Sequence, residues 1–230
     1  LHLPAGSIWT HDRFLRRAAQ FANTLTDHGL KPGDRLAVQI SKSPDALALY
    51  AACVQAGVVF LPLNPAYTPP EVAYFVDDSD AGLLICADDD RVALQGAVGA
   101  PIETLNADGT GTFAQSAQDQ PETFSTATRS SDDLAALLYT SGTTGRSKGA
   151  MLTQANLLSN AETLAELWQF TADDCLLHAL PIFHTHGLFV ATNVTLIAVG
   201  AMAFLPKFDP DAIFAALPRA TAMMGVPTFY

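Results

Sequence analysis

Charge is scarce in this chain. Only 15% of its 230 residues are Asp, Glu, Lys or Arg, against 49% that are hydrophobic. That balance excludes a charge-solvated disordered chain and supplies a packed core of one or two domains. Positive charge is the scarcer sign: 12 Lys and Arg against 23 Asp and Glu leave a net charge of −11. Nucleic acid and anionic membrane surfaces are recognised through excess positive charge, so neither is an expected partner. An anionic ligand would need a local positive site. Cysteine is sparse too. Cys53, Cys86 and Cys175 are odd in number, far apart and set in apolar sequence, with no C-x-x-C. They argue against a disulfide framework and read as core thiols in a reducing compartment, and a cytoplasmic location is expected. No charged-then-apolar signal pattern opens the chain. Uninterrupted apolar spans are also lacking. Residues 46–63 and 187–206 are uncharged, but Gly57 and Gly200 break each into a helix-length and a strand-length piece. No transmembrane segment is expected, because a span needs about 20 predominantly apolar residues.

What is abundant is concentrated in one stretch. An apolar run at 134–139 reads as a buried strand. Nine residues dominated by Gly, Ser and Thr follow, with Lys148 among them. Ala150-Met151-Leu152 then resumes an apolar strand. Small hydroxyl residues and glycines let backbone N–H and side-chain O–H groups converge on one anion, and a lysine adds a point charge. The pattern suits a polyphosphate. It is not a Walker A loop: the glycines are Gly142, Gly145 and Gly149, the Lys precedes the last of them, and a strand follows instead of a helix. A bare Gly/Ser/Thr stretch is more often a flexible linker. Shortness, apolar strands on both sides and the placed Lys argue against that here.

Tyr139-Thr140-Ser141-Gly142-Thr143-Thr144-Gly145-Arg146-Ser147-Lys148-Gly149 resembles the phosphate loop of the adenylate-forming superfamily, which holds acyl-CoA synthetases, peptide-synthetase adenylation domains and luciferases. Leu180-Pro181-Ile182-Phe183-His184-Thr185-His186-Gly187 is similar to that family's next core motif. The resemblance covers 8–230, and malonyl-CoA synthetases are the group it comes nearest to. It implies ATP, Mg²⁺ and CoA as reactants and two steps. A carboxylate attacks the α-phosphate and releases pyrophosphate; a thiol then displaces AMP.

Read along the chain, helical spacing at Phe14, Ala18, Phe21 and Leu25 opens the fold, between Thr10 and Gly29. Strands are predicted at 35–40, 58–61 and 82–86. Helices open at Ser43-Pro44 and Thr68-Pro69. Residues 88–131 predict surface helices and loops without chemistry. Thr153 caps a helix striped by Leu157, Ala161, Leu164, Ala165 and Trp168. A strand at 175–179 leads to the His motif. A helix, a strand at 201–205, a helix after Asp209-Pro210 and a strand at 220–226 follow. This alternation predicts an α/β fold with a largely parallel sheet. The resemblance implies a truncated large N-terminal domain with interleaved α/β subdomains: 1–33 with 167–230 as one, incomplete, and 34–166 bearing the phosphate loop. It also implies that the C-terminal catalytic domain, with its Lys, lies outside this sequence. A cut through such a domain leaves a sheet edge or apolar face open to self-association.

Thr140, Ser141, Gly142, Thr143, Thr144, Gly145 and Lys148 are the candidates for gripping the β- and γ-phosphates, with Lys148 counted as catalytic. The resemblance puts Thr140 near Mg²⁺. It gives His184 a positioning and gating role beside the acyl and nucleotide sites, since a carboxylate nucleophile needs no base. His186 stands where relatives for hydrophobic acids commonly carry an aromatic or apolar group. A His there can hydrogen-bond or pair with a second carboxylate, which favours a short dicarboxylate such as malonate. Metal binding by His178, His184 and His186 is the rival; no Asp, Glu or Cys at ligand spacing accompanies them. Gly225 and Val226 are the expected wall of the acyl pocket. Met223 and Met224 fit an ordinary buried strand equally well. Arg219 matches no position for the Arg expected to hold malonate's distal carboxylate, which then lies past residue 230. Three other readings stay open: a ligase for a fatty or aryl acid, an adenylation domain without CoA, and a phosphate-binding fragment that does not turn over.

Overall fold

A computed structural model describes residues 1–4, 6–140 and 147–229. The chain divides into two compact units, Asp12–Gln154 and Leu1–His11 with Ala155–Tyr230. In sequence, the first of these is inserted into the second. The units differ in extent from the segments read from the sequence. Helix α1 (His11–Asp27) goes with the inserted unit because its buried face packs there. Its Phe21 ring lies 5.2 Å from that of Phe113, and its Arg17 Nε donates to Asp45 Oδ1 at 2.7 Å.

The inserted unit is built on a six-stranded sheet. Its strands are β1 (Arg35–Gln39), β2 (Val59–Pro62), β3 (Ala81–Cys86), β4 (Ile102–Thr104), β5 (Leu134–Thr140) and β6 (Lys148–Thr153). Their order is β4-β3-β1-β2-β5-β6. Every pairing is parallel except the β5–β6 hairpin, which is antiparallel. Helices cover both faces, so the central strands are apolar on both sides. On one face, α2 (Pro44–Ala56) sets Tyr50 5.3 Å from Phe60 of β2. On the other, Val72, Phe75 and Val76 of α3 (Pro69–Ser79) pack with Val59, Leu61 and Leu84. Each such buried side chain contributes about 1.5–3 kcal/mol.

The helix ends follow the sequence signals. Ser43 Oγ accepts from Ala46 N at 3.1 Å, Pro44 takes the first turn, and Gly57 closes α2 at φ +69°. Glu71 Oε2 accepts from Thr68 N at 2.8 Å at the start of α3. Arg35 donates to Ser79 O and Asp80 O, both at 2.7 Å, and so satisfies carbonyls at the far end. Between residues 88 and 131 lie α4 (Asp88–Gln95) and α5 (Thr112–Ser116), as expected, and also β4, which was not. Three residues are too few to show a strand period.

The second unit holds a parallel sheet of order β8-β7-β9, from β7 (Cys175–His178), β8 (Ala201–Phe204) and β9 (Ala222–Met224). His2 N donates to Met202 O at 2.8 Å, which ties the first residues to the outer edge of β8. Helix α6 (Gln154–Leu167) buries only Ala161 of its apolar stripe, and Trp168 beyond it is 45% exposed. A π-helical segment, His186–Thr192, runs into α7 (Asn193–Ile197), where an ordinary helix was expected. Asp209 caps α8 (Pro210–Ala216). Cys53, Cys86 and Cys175 are buried free thiols, and burial raises the pKa of all three; that of Cys86 reaches about 12. Among the described residues no helix is long and apolar enough to cross a membrane.

Candidate functional site

The glycine- and hydroxyl-rich stretch leaves the sheet from β5. Apolar residues bury the body of that strand: Ala136 is fully buried, and Leu137 and Leu138 nearly so. The strand then emerges at Thr140, which is exposed, as is Lys148 at the start of β6. Register pairs Tyr139 with Gly149 and Thr140 with Lys148. Directly opposed residues hold their Cβ atoms about 4.5–5.5 Å apart, so a hydroxyl and an ammonium flank one mouth. That mouth is at the carboxyl end of β5, the edge at which open α/β sheets accept ligands. Ser141, Gly142, Thr143, Thr144 and Gly145 lie outside the described residues. Lys148 itself starts β6, two residues before the strand expected from the sequence.

Helix α3 braces this hairpin, a feature the sequence reading missed. Tyr74 Oη donates to Ser147 O at 2.9 Å. Tyr139 Oη donates to Asp78 Oδ2 at 2.5 Å. The Tyr139 ring lies 4.7 Å from that of Phe75 and 6.1 Å from that of Tyr74. Burial, then the Asp78 carboxylate, pushes the Tyr139 pKa well above the ordinary tyrosine value, so the phenol stays protonated and donating. The ring crosses over Gly149: a Cβ there would sit 3.2 Å from Tyr139 Cζ. Gly149 is thus small because a ring occupies the space beside it. Tyr74 and Asp78 are 73 and 61 residues from their partners, and no short-range pattern announces such a contact.

In the second unit, β7 leads into the His motif. Leu180 and Ile182 are buried, His184 is exposed and His186 is half-buried. The His184 ring lies 4.4 Å from that of Phe183. The turn is locked at Gly187, where a Cβ would meet Pro181 O at 2.0 Å. His178 Nε2 lies 2.9 Å from Gly187 O, and Thr192 Oγ1 donates to the same carbonyl at 2.9 Å. An acceptor-only carbonyl implies that His178 Nε2 carries the proton. His178 is 1% exposed, and its ring is 5.5 Å from that of Phe204. It pins the π-helical turn beginning at His186. Among the described residues, no group of three His, Cys, Asp or Glu could hold a metal ion. The described part therefore does not complete a Mg²⁺ site, to which Thr140 could add one oxygen.

Strand β9 lies beside β7, in parallel, so Gly225 and Val226 leave the same carboxyl edge as the segment bearing His184 and His186. Gly225 is half-buried and Val226 is 38% exposed. Met223 and Met224 pack into clusters on the two faces of the sheet, Met223 with Leu177 and Leu205, Met224 with Leu176 and Leu180. Both are half-buried and pack against those clusters. Arg219 ends a 3₁₀ turn, Leu217–Arg219, ahead of β9.

MatB from Rhodopseudomonas palustris, solved with ATP bound, is 53% identical, with a TM-score of 0.96 over 100% of this chain and 46% of that one. A feruloyl-CoA synthase from Amycolatopsis sp is 36% identical over 232 residues, 98% of this chain and 45% of that protein. A malonate–CoA ligase from Arabidopsis thaliana is 30% identical over 219 residues, 88% of this chain and 36% of that protein. The chain thus spans less than half the length of each. The family described as AMP-binding enzyme matches residues 3–230, and the chain belongs to that family.

Proposed function

We propose that this chain supplies the phosphate-binding and acyl-pocket elements of an AMP-forming acid–CoA ligase that activates malonate. Malonate attacks the α-phosphate of ATP, giving malonyl-AMP and pyrophosphate. The thiol of CoA then takes the malonyl group and AMP leaves. The observation that carries the reading is the Thr140–Lys148 pair at the carboxyl end of β5. The first step brings two anions together, so positive charge and fixed hydrogen-bond donors must be in place beforehand. Thr140, Lys148 and the residues Ser141, Gly142, Thr143, Thr144 and Gly145 between them take the β- and γ-phosphates. Likeness to the ATP-bound MatB supports this. Thr140 would lend one oxygen to a Mg²⁺ ion brought in with the phosphates, and that ion would neutralise part of their charge.

Gly225 and Val226 form a wall of the acyl pocket, and His184 positions and gates the entering acid. His186 receives the distal carboxylate. Likeness to a malonate–CoA ligase supports that choice. A second reading is favoured by the higher identity to a feruloyl-CoA synthase: the acid is aromatic and His186 holds a phenolic or methoxy oxygen. The test is pyrophosphate release by the complete enzyme with ATP, Mg²⁺, CoA and, in turn, malonate, methylmalonate, acetate, octanoate, benzoate and ferulate. Release with malonate and little with the monoacids is expected. Release with ferulate or octanoate instead would discard malonate and keep the two-step chemistry.

A further inference from the structure

Helix α3 holds both stems of the phosphate loop. Tyr74 and Asp78 are four residues apart, so they share one face of the helix. Tyr74 takes the carbonyl of Ser147, where the chain returns from the loop. Asp78 takes the hydroxyl of Tyr139, where the chain enters it. The ring of Phe75, between them in sequence, packs on Tyr139. The cross-strand neighbour of Tyr139 is Gly149, whose missing side chain lets the ring lie flat across β6 and reach Asp78. Both sides of the hairpin are thus fastened to one element one residue from the Thr140–Lys148 pair, at Tyr139 on the strand side and at Ser147 on the loop side.

We propose that Tyr74 and Asp78 are positioning residues for the nucleotide phosphates, setting the spacing of Thr140 and Lys148 through the two stems. This rests on the reading of Thr140 and Lys148 as phosphate-binding residues. The physical reason is preorganisation. A hairpin mouth that gapes must be closed by the ligand at the ligand's cost, and small displacements of charge-stabilising groups are expensive in rate. The fastening matters only while the β- and γ-phosphates are present. In the first step they leave as pyrophosphate; in the second only AMP remains on the acyl group. Loosening the stems should therefore slow adenylate formation and spare thioester formation, a split that general destabilisation does not produce.

The experiment uses the complete enzyme and the variants Tyr74→Phe, Asp78→Ala and Asp78→Asn. Pyrophosphate release from ATP and acid reports the first step. Thioester formation from supplied acyl-adenylate and CoA reports the second. Amide exchange at residues 147–149 reports the stem itself. Losing one hydrogen bond should cut the first step roughly two- to tenfold for Tyr74→Phe and for Asp78→Ala. The second step should hold within experimental error and exchange at 147–149 should quicken. Asp78→Asn keeps an acceptor oxygen for Tyr139 and should recover most of the loss. Equal loss in both steps, or an unchanged first step, would overturn the proposal. A wild type that releases no pyrophosphate with any acid, while Tyr74→Phe still quickens exchange, would instead overturn the phosphate-site reading and the positioning role that depends on it.

Discussion

His186 begins the π-helical turn, half-buried, one residue before a glycine that cannot be replaced without striking Pro181 O. Its backbone is held by neighbours, so exchanging its side chain should alter chemistry more than fold. In the complete enzyme, His186→Phe should lower kcat/KM for malonate roughly ten- to a hundredfold, the value of a charge-assisted hydrogen bond, and leave acetate little changed. Equal kinetics with malonate would remove His186 from the pocket. At this scale the sequence was legible for residue type and mute about reason. Gly149 and Gly187 were visible as motif glycines. Only the register with Tyr139 and the approach of Pro181 O show what each one makes room for. His178 was visible as a possible ligand, but its bond to the Gly187 carbonyl is a tertiary fact.

Elements were more legible where a local signal ends them. Ser43-Pro44, Thr68-Pro69 and Asp209-Pro210 each open a helix by chemistry contained within four residues. Ser43→Ala removes the acceptor for Ala46 N and should cost about 1 kcal/mol, seen as a lower unfolding midpoint in chemical denaturation. An unchanged midpoint would mean that Pro44 and packing alone hold α2. Elements set by distant contacts were not legible. Strand β4 is three residues added to the sheet edge beside β3, and the π-helical turn is dictated by two donors converging on one carbonyl. The brace from α3 belongs to the same class. Tyr74 and Asp78 sit in a stretch whose helical period was clear, yet their partners lie far along the chain.

At the scale of the whole molecule, a chain of net charge −11 can bind a polyanion only by concentrating donors. On the proposed reading, the hairpin mouth on β5 and β6 does so with Thr140 and Lys148. The α/β class and the parallel sheet followed from the alternation of strands and helices. The extent of the two units did not, because α1 precedes β1 with nothing in its own period to say which sheet it covers. Phe113 and Asp45 decide that. Thr140 and Lys148, proposed for the phosphates, fall in the inserted unit, and His184, His186, Gly225 and Val226, proposed for the acyl pocket, fall in the other. The central claim is that the hairpin mouth handles the phosphates of ATP, and one measurement tests it most directly. In the complete enzyme, Lys148→Ala is assayed for pyrophosphate release and, separately, for thioester formation from supplied acyl-adenylate. Losing a charge-assisted contact to phosphate predicts roughly a tenfold or greater loss of the first activity with the second retained. Pyrophosphate release at the wild-type rate would contradict the account.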